Sequence, residues 1–111
     1  MVKVTVLYGE PTDSAAFEKY YLETHVPEHG AKIPGLVKVE INKGVSSPDA
    51  PAPYYRTADL YFNDMAGLQA GLGSAIGQAA VADLQKFATG GFKVLITEVE
   101  PVKLAAPAHA G

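Results

Sequence analysis

The sequence predicts an α+β domain in which a four-stranded antiparallel sheet carries helices on one of its faces. Four short segments alternate apolar and polar residues with the period of two that is typical of strands. Two longer segments place apolar residues three and four positions apart, as an amphipathic helix does. The two halves of the chain repeat the order strand, helix, strand, which gives β-α-β-β-α-β overall.

The first half begins with a strand at 2–8 (VKVTVLY). A helix is expected next, because three suitable N-cap residues precede Ala15: Thr12, Asp13 and Ser14. Pro27 is expected to stop or kink this helix and to move Val26 out of the helical conformation. A second strand (LVKVEIN) follows Gly35.

The second half follows a loop at 44–53 that contains three prolines. A third strand is predicted at 54–62, and Asp64 with Asn63 is expected to cap the next helix. Gly71, Gly73 and Ser74 are expected to divide this helix into two pieces, the second ending near 87–88. The fourth strand is FKVLITEV. We assign 1–100 to one domain and 101–111 to a C-terminal tail.

This order of elements is the ferredoxin-like arrangement, in which right-handed crossovers place both helices on the same face of the sheet. One set of strand residues is apolar and is expected beneath the helices: Val2, Val4, Val6, Val37, Val39, Ile41, Ala58, Leu60, Phe62, Phe92, Val94 and Ile96. The opposite face is mixed but includes Leu7, Tyr61, Leu95 and Val99. We expect it to contact a second subunit, with Asp59 paired to Lys3 or Lys93; a solvated face is the alternative.

Composition excludes several classes of function. Nine Lys and Arg residues stand against twelve Asp and Glu, and this net charge of -3 argues against nucleic-acid binding. The absence of cysteine excludes disulfides and thiolate chemistry. No apolar run approaches the ~20 residues of a membrane span. The first residues resemble a strand and not a signal peptide, so we expect a cytoplasmic protein.

His25 is the strongest candidate for chemistry. It lies one helical turn beyond Tyr21 and two beyond Phe17, so the three side chains are expected to share the face that covers the sheet. The topology places His25 nearest four apolar strand residues: Val2, Val4, Leu36 and Phe62. An imidazole in such a pocket is suited to general acid–base catalysis, although a histidine that caps the helix C-terminus fits the same position.

The remaining polar residues are weaker candidates for catalysis or metal binding. The spacing indicates no acid that would be buried beside His25. His29 is expected to be exposed, and Pro27 between the two histidines disfavours a shared metal ion, so we predict no metal site. Arg56, the only arginine, is expected to form a salt bridge across a dimer.

Two segments resemble a known family. The run Phe17-Glu18-Lys19-Tyr20-Tyr21-Leu22-Glu23-Thr24-His25-Val26-Pro27, followed by Ile33-Pro34-Gly35-Leu36, resembles the EthD family of dimeric α/β-barrel proteins. The segment 82–91 (ADLQKFATGG) resembles the end of the second helix in that superfamily. The resemblance covers about 2–100. It implies a ferredoxin-like subunit, a dimer formed through the sheet, and a small-molecule pocket between helices and sheet without a haem.

The resemblance also suggests a range of activities. Members are associated with ether-degradation operons, and relatives include cofactor-independent monooxygenases, cyclases, decarboxylases and lactone isomerases. We therefore predict a cofactor-independent enzyme that acts on a small aromatic, polyketide-like or lactone substrate. Its catalytic residues would be His25 and Tyr21, and the substrate would contact Phe17, Val4, Leu36 and Phe62. The alternative is a ligand-binding or stress-associated dimer without catalysis.

Overall fold

The sheet has the strand order β2-β3-β1-β4, and every neighbouring pair is antiparallel. This computed structural model describes residues 1–105, so His109 and the end of the predicted tail lie outside the described residues. The strands are β1 (Val2–Tyr8), β2 (Leu36–Lys43), β3 (Arg56–Phe62) and β4 (Phe92–Glu98). The α-helices are α1 (Ser14–Tyr20), α2 (Val26–Glu28), α3 (Met65–Gly73) and α4 (Ala75–Phe87). The predicted α+β ferredoxin-like fold is confirmed.

The first helical region does not end at Pro27. Asp13 caps α1 by accepting a hydrogen bond from the Ala16 N–H at 3.0 Å. A π-helical turn, Tyr21–His25, then leads directly into α2. Val26 stays helical at φ -65° and ψ -55°, so the expectation that it leaves this conformation is wrong. The Val26 N–H donates to the Tyr21 carbonyl, which is the wider hydrogen-bonding pattern of a π-helix. The π-helical turn directly precedes Pro27, which has no N–H to donate.

The second helical region is divided as predicted. The Asp64 side chain accepts from the Gly67 N–H at 2.7 Å and begins α3. The Ser74 hydroxyl accepts from the Gly77 N–H at 3.0 Å and begins α4. A Cβ atom on Gly77 would collide with the Gly71 carbonyl, so glycine allows the two helices to meet closely. This break directs α4 back across α1.

The helix-covered face of the sheet is buried on the two central strands, as expected. On β2 the expectation fails at Val37, which is 45% exposed, because a bulge between Leu36 and Lys38 places Leu36 opposite Phe62 instead. On β4 it fails at Val94 and Ile96, which are 48% and 51% exposed. The described helices pack on β1 and β3, and none makes extensive contact with this edge strand.

Among residues 1–105, no helix is long and apolar enough to cross a membrane. The core lies between the two central strands and the helices. Its largest fully buried side chains are Tyr8, Phe17, Tyr21 and Phe62.

Candidate active site

His25 is buried and paired with an acid. It ends the π-helical turn, and its imidazole is 7% exposed. Its Nδ1 atom lies 2.9 Å from Oδ2 of Asp83, a residue of α4 that is itself 2% exposed. The pair joins the first helical region to the last. It also corrects the expectation that no buried acid would lie beside His25.

Asp83 accepts from more than one group. The Tyr20 hydroxyl donates to its Oδ1 atom at 2.7 Å. His29 Nε2 and Lys86 Nζ each lie 3.7 Å from that same oxygen. The His29 side chain is 28% exposed, so it is only half-buried and not the fully exposed residue that was expected. These contacts supply the compensation that a buried carboxylate requires.

The sequence contained one signal for Asp83. Ala80, Leu84 and Phe87 are buried on the inner face of α4, and Asp83 occupies that same face at helical spacing. A charged residue within an apolar helical stripe is rarely buried without a partner. Identifying the partner as His25 required the crossing of α1 and α4, because the two residues are 58 positions apart.

The pair determines which ring nitrogen of His25 carries the proton. Burial would raise the pKa of Asp83, but hydrogen bonds from His25 and Tyr20 outweigh it, and the pKa lies below its usual value. Burial lowers the pKa of His25, and the bond to Asp83 opposes this only in part. At neutral pH an ionised carboxylate can only accept, so Nδ1 is protonated and Nε2 is an available base.

Tyr21 lies between His25 and the sheet. Its ring is stacked on the imidazole with centroids 5.9 Å apart and planes 13° apart, in the register that the π-helical turn allows. Tyr8 contacts the same ring edge-on at 5.3 Å. The Tyr21 hydroxyl is buried and makes no hydrogen bond of good geometry among residues 1–105. Burial raises the pKa of Tyr21 to about 12, although the Tyr8 hydroxyl lies near enough to lower it, so the phenol remains a proton donor.

A second acid–base pair lies on the other side of Tyr21. Arg56 is 6% exposed, and its Nε and Nη2 atoms donate to the two carboxylate oxygens of Glu18 at 2.9 and 2.6 Å. The guanidinium carbon lies 5.3 Å from the centroid of the Tyr21 ring. The Tyr55 hydroxyl also donates to Glu18, at 3.1 Å. Arg56 therefore pairs within its own subunit, and the expected salt bridge across a dimer is wrong.

An apolar cleft of about 100 Å³ lies between the sheet and the helices. His25, Tyr21 and Tyr8 are the lining residues with polar side-chain groups, and Val4 also lines the cleft. The other residues that enclose it are aliphatic or glycine, such as Val6, Ile33, Ala58, Leu60, Leu72 and Leu84. The cleft is thus an apolar site with an imidazole and two phenols.

Three of the residues expected to contact a substrate lie elsewhere. Phe17 packs against Tyr8 and Phe87, with ring centroids 5.5 and 5.2 Å apart, beside a separate surface groove. Leu36 and Phe62 are paired at the end of the sheet, beyond the cleft. The cleft was expected over these strand ends, whereas it lies over the middle of β1 and β3.

The described residues contain no group of three His, Asp or Glu side chains arranged to hold a metal ion. His25 and His29 both approach Asp83, but His25 uses Nδ1 for its hydrogen bond.

Comparison with known proteins gives a consistent family. The family model described as the EthD domain matches residues 9–91. An uncharacterised 11.0 kDa protein from the thcB–thcC intergenic region of Rhodococcus erythropolis is 37% identical over 102 residues, which is 92% of this chain and 98% of that protein. The crystal structure of an ethyl tert-butyl ether d (EthD) family protein from Bacillus halodurans is 34% identical, with a TM-score of 0.84, covering 90% of this chain and 99% of that one.

More distant structures share the fold alone. A dimeric ferredoxin-like protein of unknown function from Jannaschia is 18% identical, with a TM-score of 0.65, covering 89% of this chain and 100% of that one. A putative antibiotic biosynthesis monooxygenase from Deinococcus radiodurans is 11% identical, with a TM-score of 0.61, covering 95% and 98%. The family-model match and the two relatives above 30% identity show that this chain belongs to the EthD family.

Proposed function

We propose that this protein binds a small, mostly apolar molecule in the cleft and transfers a proton with His25. The observation that carries this proposal is the buried pair of His25 and Asp83, which leaves one imidazole nitrogen available in an otherwise apolar site. Buried imidazoles with an orienting carboxylate are a recurrent form of general base. The chemistry needs no cofactor.

Each polar group has a role in this proposal. Nε2 of His25 accepts a proton from the substrate, and Asp83 stabilises the imidazolium that forms, without itself becoming protonated. The Tyr21 hydroxyl donates a hydrogen bond to a substrate oxygen, which would satisfy a buried group that otherwise lacks a partner. Val4 contributes to the apolar wall.

The size of the cleft limits the ligand. An engineered apolar cavity of about 150 Å³ holds benzene, so about 100 Å³ suits a molecule no larger than one ring unless the helices move apart. The low polarity favours a neutral compound with one or two oxygens. Aromatic, 1,3-dicarbonyl and lactone compounds fit this description. The putative monooxygenase among the structural neighbours supports an enzyme on this fold, and a cytoplasmic location remains a prediction.

The second candidate function is ligand binding without catalysis. The orphan hydroxyl of Tyr21 favours it as much as it favours an enzyme, because either function would use that group. The two candidates differ at His25. A binding protein needs the imidazole only as a hydrogen-bonding partner, whereas an enzyme needs it to accept and release a proton.

We test the function with a panel of phenol, acetylacetone and γ-butyrolactone. Binding is followed by the NMR signals of His25 and Tyr21, and proton transfer by deuterium uptake at the carbon acids in D₂O. We expect at least one compound to bind, and His25→Ala to reduce its exchange by about 10²–10⁴-fold without preventing binding. Exchange that is unchanged in His25→Ala would leave only the binding function, and a panel that moves neither signal contradicts both.

We also propose a homodimer formed through the open face of the sheet. Both carboxylates on this face already have partners within one subunit. Asp59 lies 3.6 Å from Lys3 and accepts from Thr5 at 2.6 Å, and Glu40 accepts from the Tyr61 hydroxyl at 2.9 Å. Covering the face would therefore leave neither carboxylate buried without a partner, which lowers the cost of the contact. The dimeric Jannaschia protein, which has the same fold, supports this assembly.

Sedimentation tests the dimer. The interface should bury at least ~1,000 Å² in total, so we expect dimers at micromolar concentration. Tyr61→Glu places a charge in the interface and should give monomers or insoluble protein, whereas Gln78→Glu on the exposed side of α4 should change nothing. A monomeric wild-type protein contradicts the proposal.

A further inference from the structure

The carboxylate of Asp83 lies between two imidazoles. His25 approaches Oδ2 from the side of the cleft at 2.9 Å, and His29 approaches Oδ1 at 3.7 Å. The two rings have centroids 6.1 Å apart. The side chain of His25 is 8% exposed, whereas that of His29 is 28% exposed. One carboxylate thus connects an imidazole in the cleft to an imidazole that solvent can reach.

We infer that His29 is a positioning residue for proton transfer, which sets the base strength of His25 through the shared carboxylate. The inference rests on the proposed function of His25 as a base. When His29 is neutral, Asp83 directs its full negative charge toward His25 and supports the imidazolium. When His29 is protonated, it competes for the carboxylate and repels the charge that His25 would acquire.

The direction of the pKa shifts supports this coupling. Burial is the main cause of the lowered pKa of His25, and the charge of His29 lowers it further, while Asp83 opposes both effects. The charge of His29 also contributes to the lowered pKa of Asp83, after the hydrogen bonds from His25 and Tyr20.

His25 and His29 are the two imidazoles that contact this carboxylate, and histidine is the side chain whose ordinary change of charge falls between pH 5 and 8. From α4, Lys86 lies as close to Oδ1. From α1, Tyr20 donates to the same oxygen and stays protonated. Glu28 precedes His29 in the chain, and Lys32 follows in the next turn, where its N–H donates to the His29 carbonyl. Glutamate and lysine side chains ordinarily titrate outside that pH range.

The consequence is a shallow loss of the free His25 base on the acid side. A proton on His29 makes His25 a weaker base, and a proton on His25 has the same effect on His29. The two groups therefore titrate as a coupled pair and not independently. In a variant without the His29 charge, the pKa of His25 would be higher, so the free base would be lost at a higher pH than in the wild type.

The test is an NMR titration of the His25 imidazole in the wild type, His29→Gln and Lys86→Gln. Lys86→Gln is the matched control, because it removes a constant charge at the same 3.7 Å from the same oxygen. We expect a wild-type curve with an apparent Hill coefficient below one. In His29→Gln the coefficient should become one and the midpoint should rise. Lys86→Gln should raise the midpoint but keep the shallow curve.

A second readout applies even if His29→Gln does not fold. Linkage requires that protonation of His25 and of His29 lower each other's pKa equally, so the wild-type curves must show the same coupling at both rings. A His25 curve that is single-site in the wild type, or unchanged in His29→Gln, overturns the inference. Both measurements follow imidazole titration curves and do not depend on catalytic activity. Coupled curves in a protein whose exchange is independent of His25 would refute the proposed function alone.

Discussion

Two acid–base pairs, each with a buried basic group, flank Tyr21, and they have opposite properties. Glu18 and Arg56 form two short hydrogen bonds, and Arg56 stays charged at any pH at which the protein folds. His25 and Asp83 share one hydrogen bond, and the imidazole retains a free nitrogen beside the cleft. The Tyr21 ring contacts both basic groups, the Arg56 guanidinium at 5.3 Å and the His25 imidazole at 5.9 Å.

The difference separates a pair that holds the fold from a pair suited to chemistry. Burial does not distinguish them, because Arg56 and His25 are almost equally buried. The difference lies in whether the basic group can lose its proton and whether one of its atoms is unused. A buried ion pair is therefore evidence for a reactive site only when its donors are incompletely satisfied.

Breaking the pair of Glu18 and Arg56, which we call the permanent pair because Arg56 keeps its charge, should have the largest effect on the free energy of unfolding. Glu18→Gln leaves the buried Arg56 without a counter-charge, which should lower the free energy of unfolding by about 3–5 kcal/mol in a denaturant titration. Lys43→Gln is the control, because the Lys43 ammonium group also approaches this carboxylate, at 3.9 Å, but its side chain is 65% exposed. It should cost less than about 1 kcal/mol. Equal losses in the two variants would mean that Arg56 is solvated.

The pair of His25 and Asp83 should make the free energy of unfolding depend on pH over a defined range. The pKa of His25 in the folded state is lowered, mainly by burial, so the unfolded chain takes up this proton first. The free energy of unfolding should fall as pH drops below about 6.5, until the folded-state pKa is reached. His25→Gln should flatten this part of the curve.

The permanent pair contributes no slope in that window. The pKa of Glu18 is lowered, mainly by its hydrogen bonds with Arg56, so its contribution is lost only as pH falls from 4.5 through the folded-state value. The matched comparison is therefore urea unfolding of wild type and His25→Gln at pH 7 and pH 5.5. A wild-type stability that rises on acidification would contradict a buried neutral His25.

The smallest expected effect is at Tyr21 itself. Its hydroxyl has no partner among the described residues, so Tyr21→Phe should change the free energy of unfolding by less than about 0.5 kcal/mol or stabilise the fold. Tyr55→Phe removes the same group from a hydrogen bond to Glu18 and should cost about 1 kcal/mol. Thermal unfolding of the two variants compares them directly, and a larger loss at Tyr21 would reveal a hydrogen bond at its hydroxyl.

Local patterns in the sequence predicted most of the fold. Alternation placed β1 at 2–8, and Asp13 and Asp64 were recognisable helix caps. Ser74 was expected at the break between two helices, and it caps the second of them. The exposure of Ile96 was not predictable in this way, because it depends on how far the helices extend across the sheet. Likewise, no local pattern distinguishes a helix that ends at Pro27 from one that widens into a π turn.

The candidate site was only half predictable for the same reason. Tyr21 and His25 are four residues apart, so helical spacing was enough to bring them together. Asp83 and Arg56 reach Tyr21 and His25 from distant parts of the chain, and their partners depend on the crossing of helices and the register of strands. Long-range pairs of this kind carry most of the electrostatics of the site.

The central claim is that His25 is a neutral base with Nε2 unoccupied at physiological pH. Nitrogen-15 NMR of the imidazole in the wild-type protein measures both its tautomer and its pKa. The Nδ1–H tautomer at pH 7, together with a pKa below the ordinary value of about 6.5, is the predicted result. The Nε2–H tautomer, or a freely solvated imidazole with an ordinary pKa, would contradict the account.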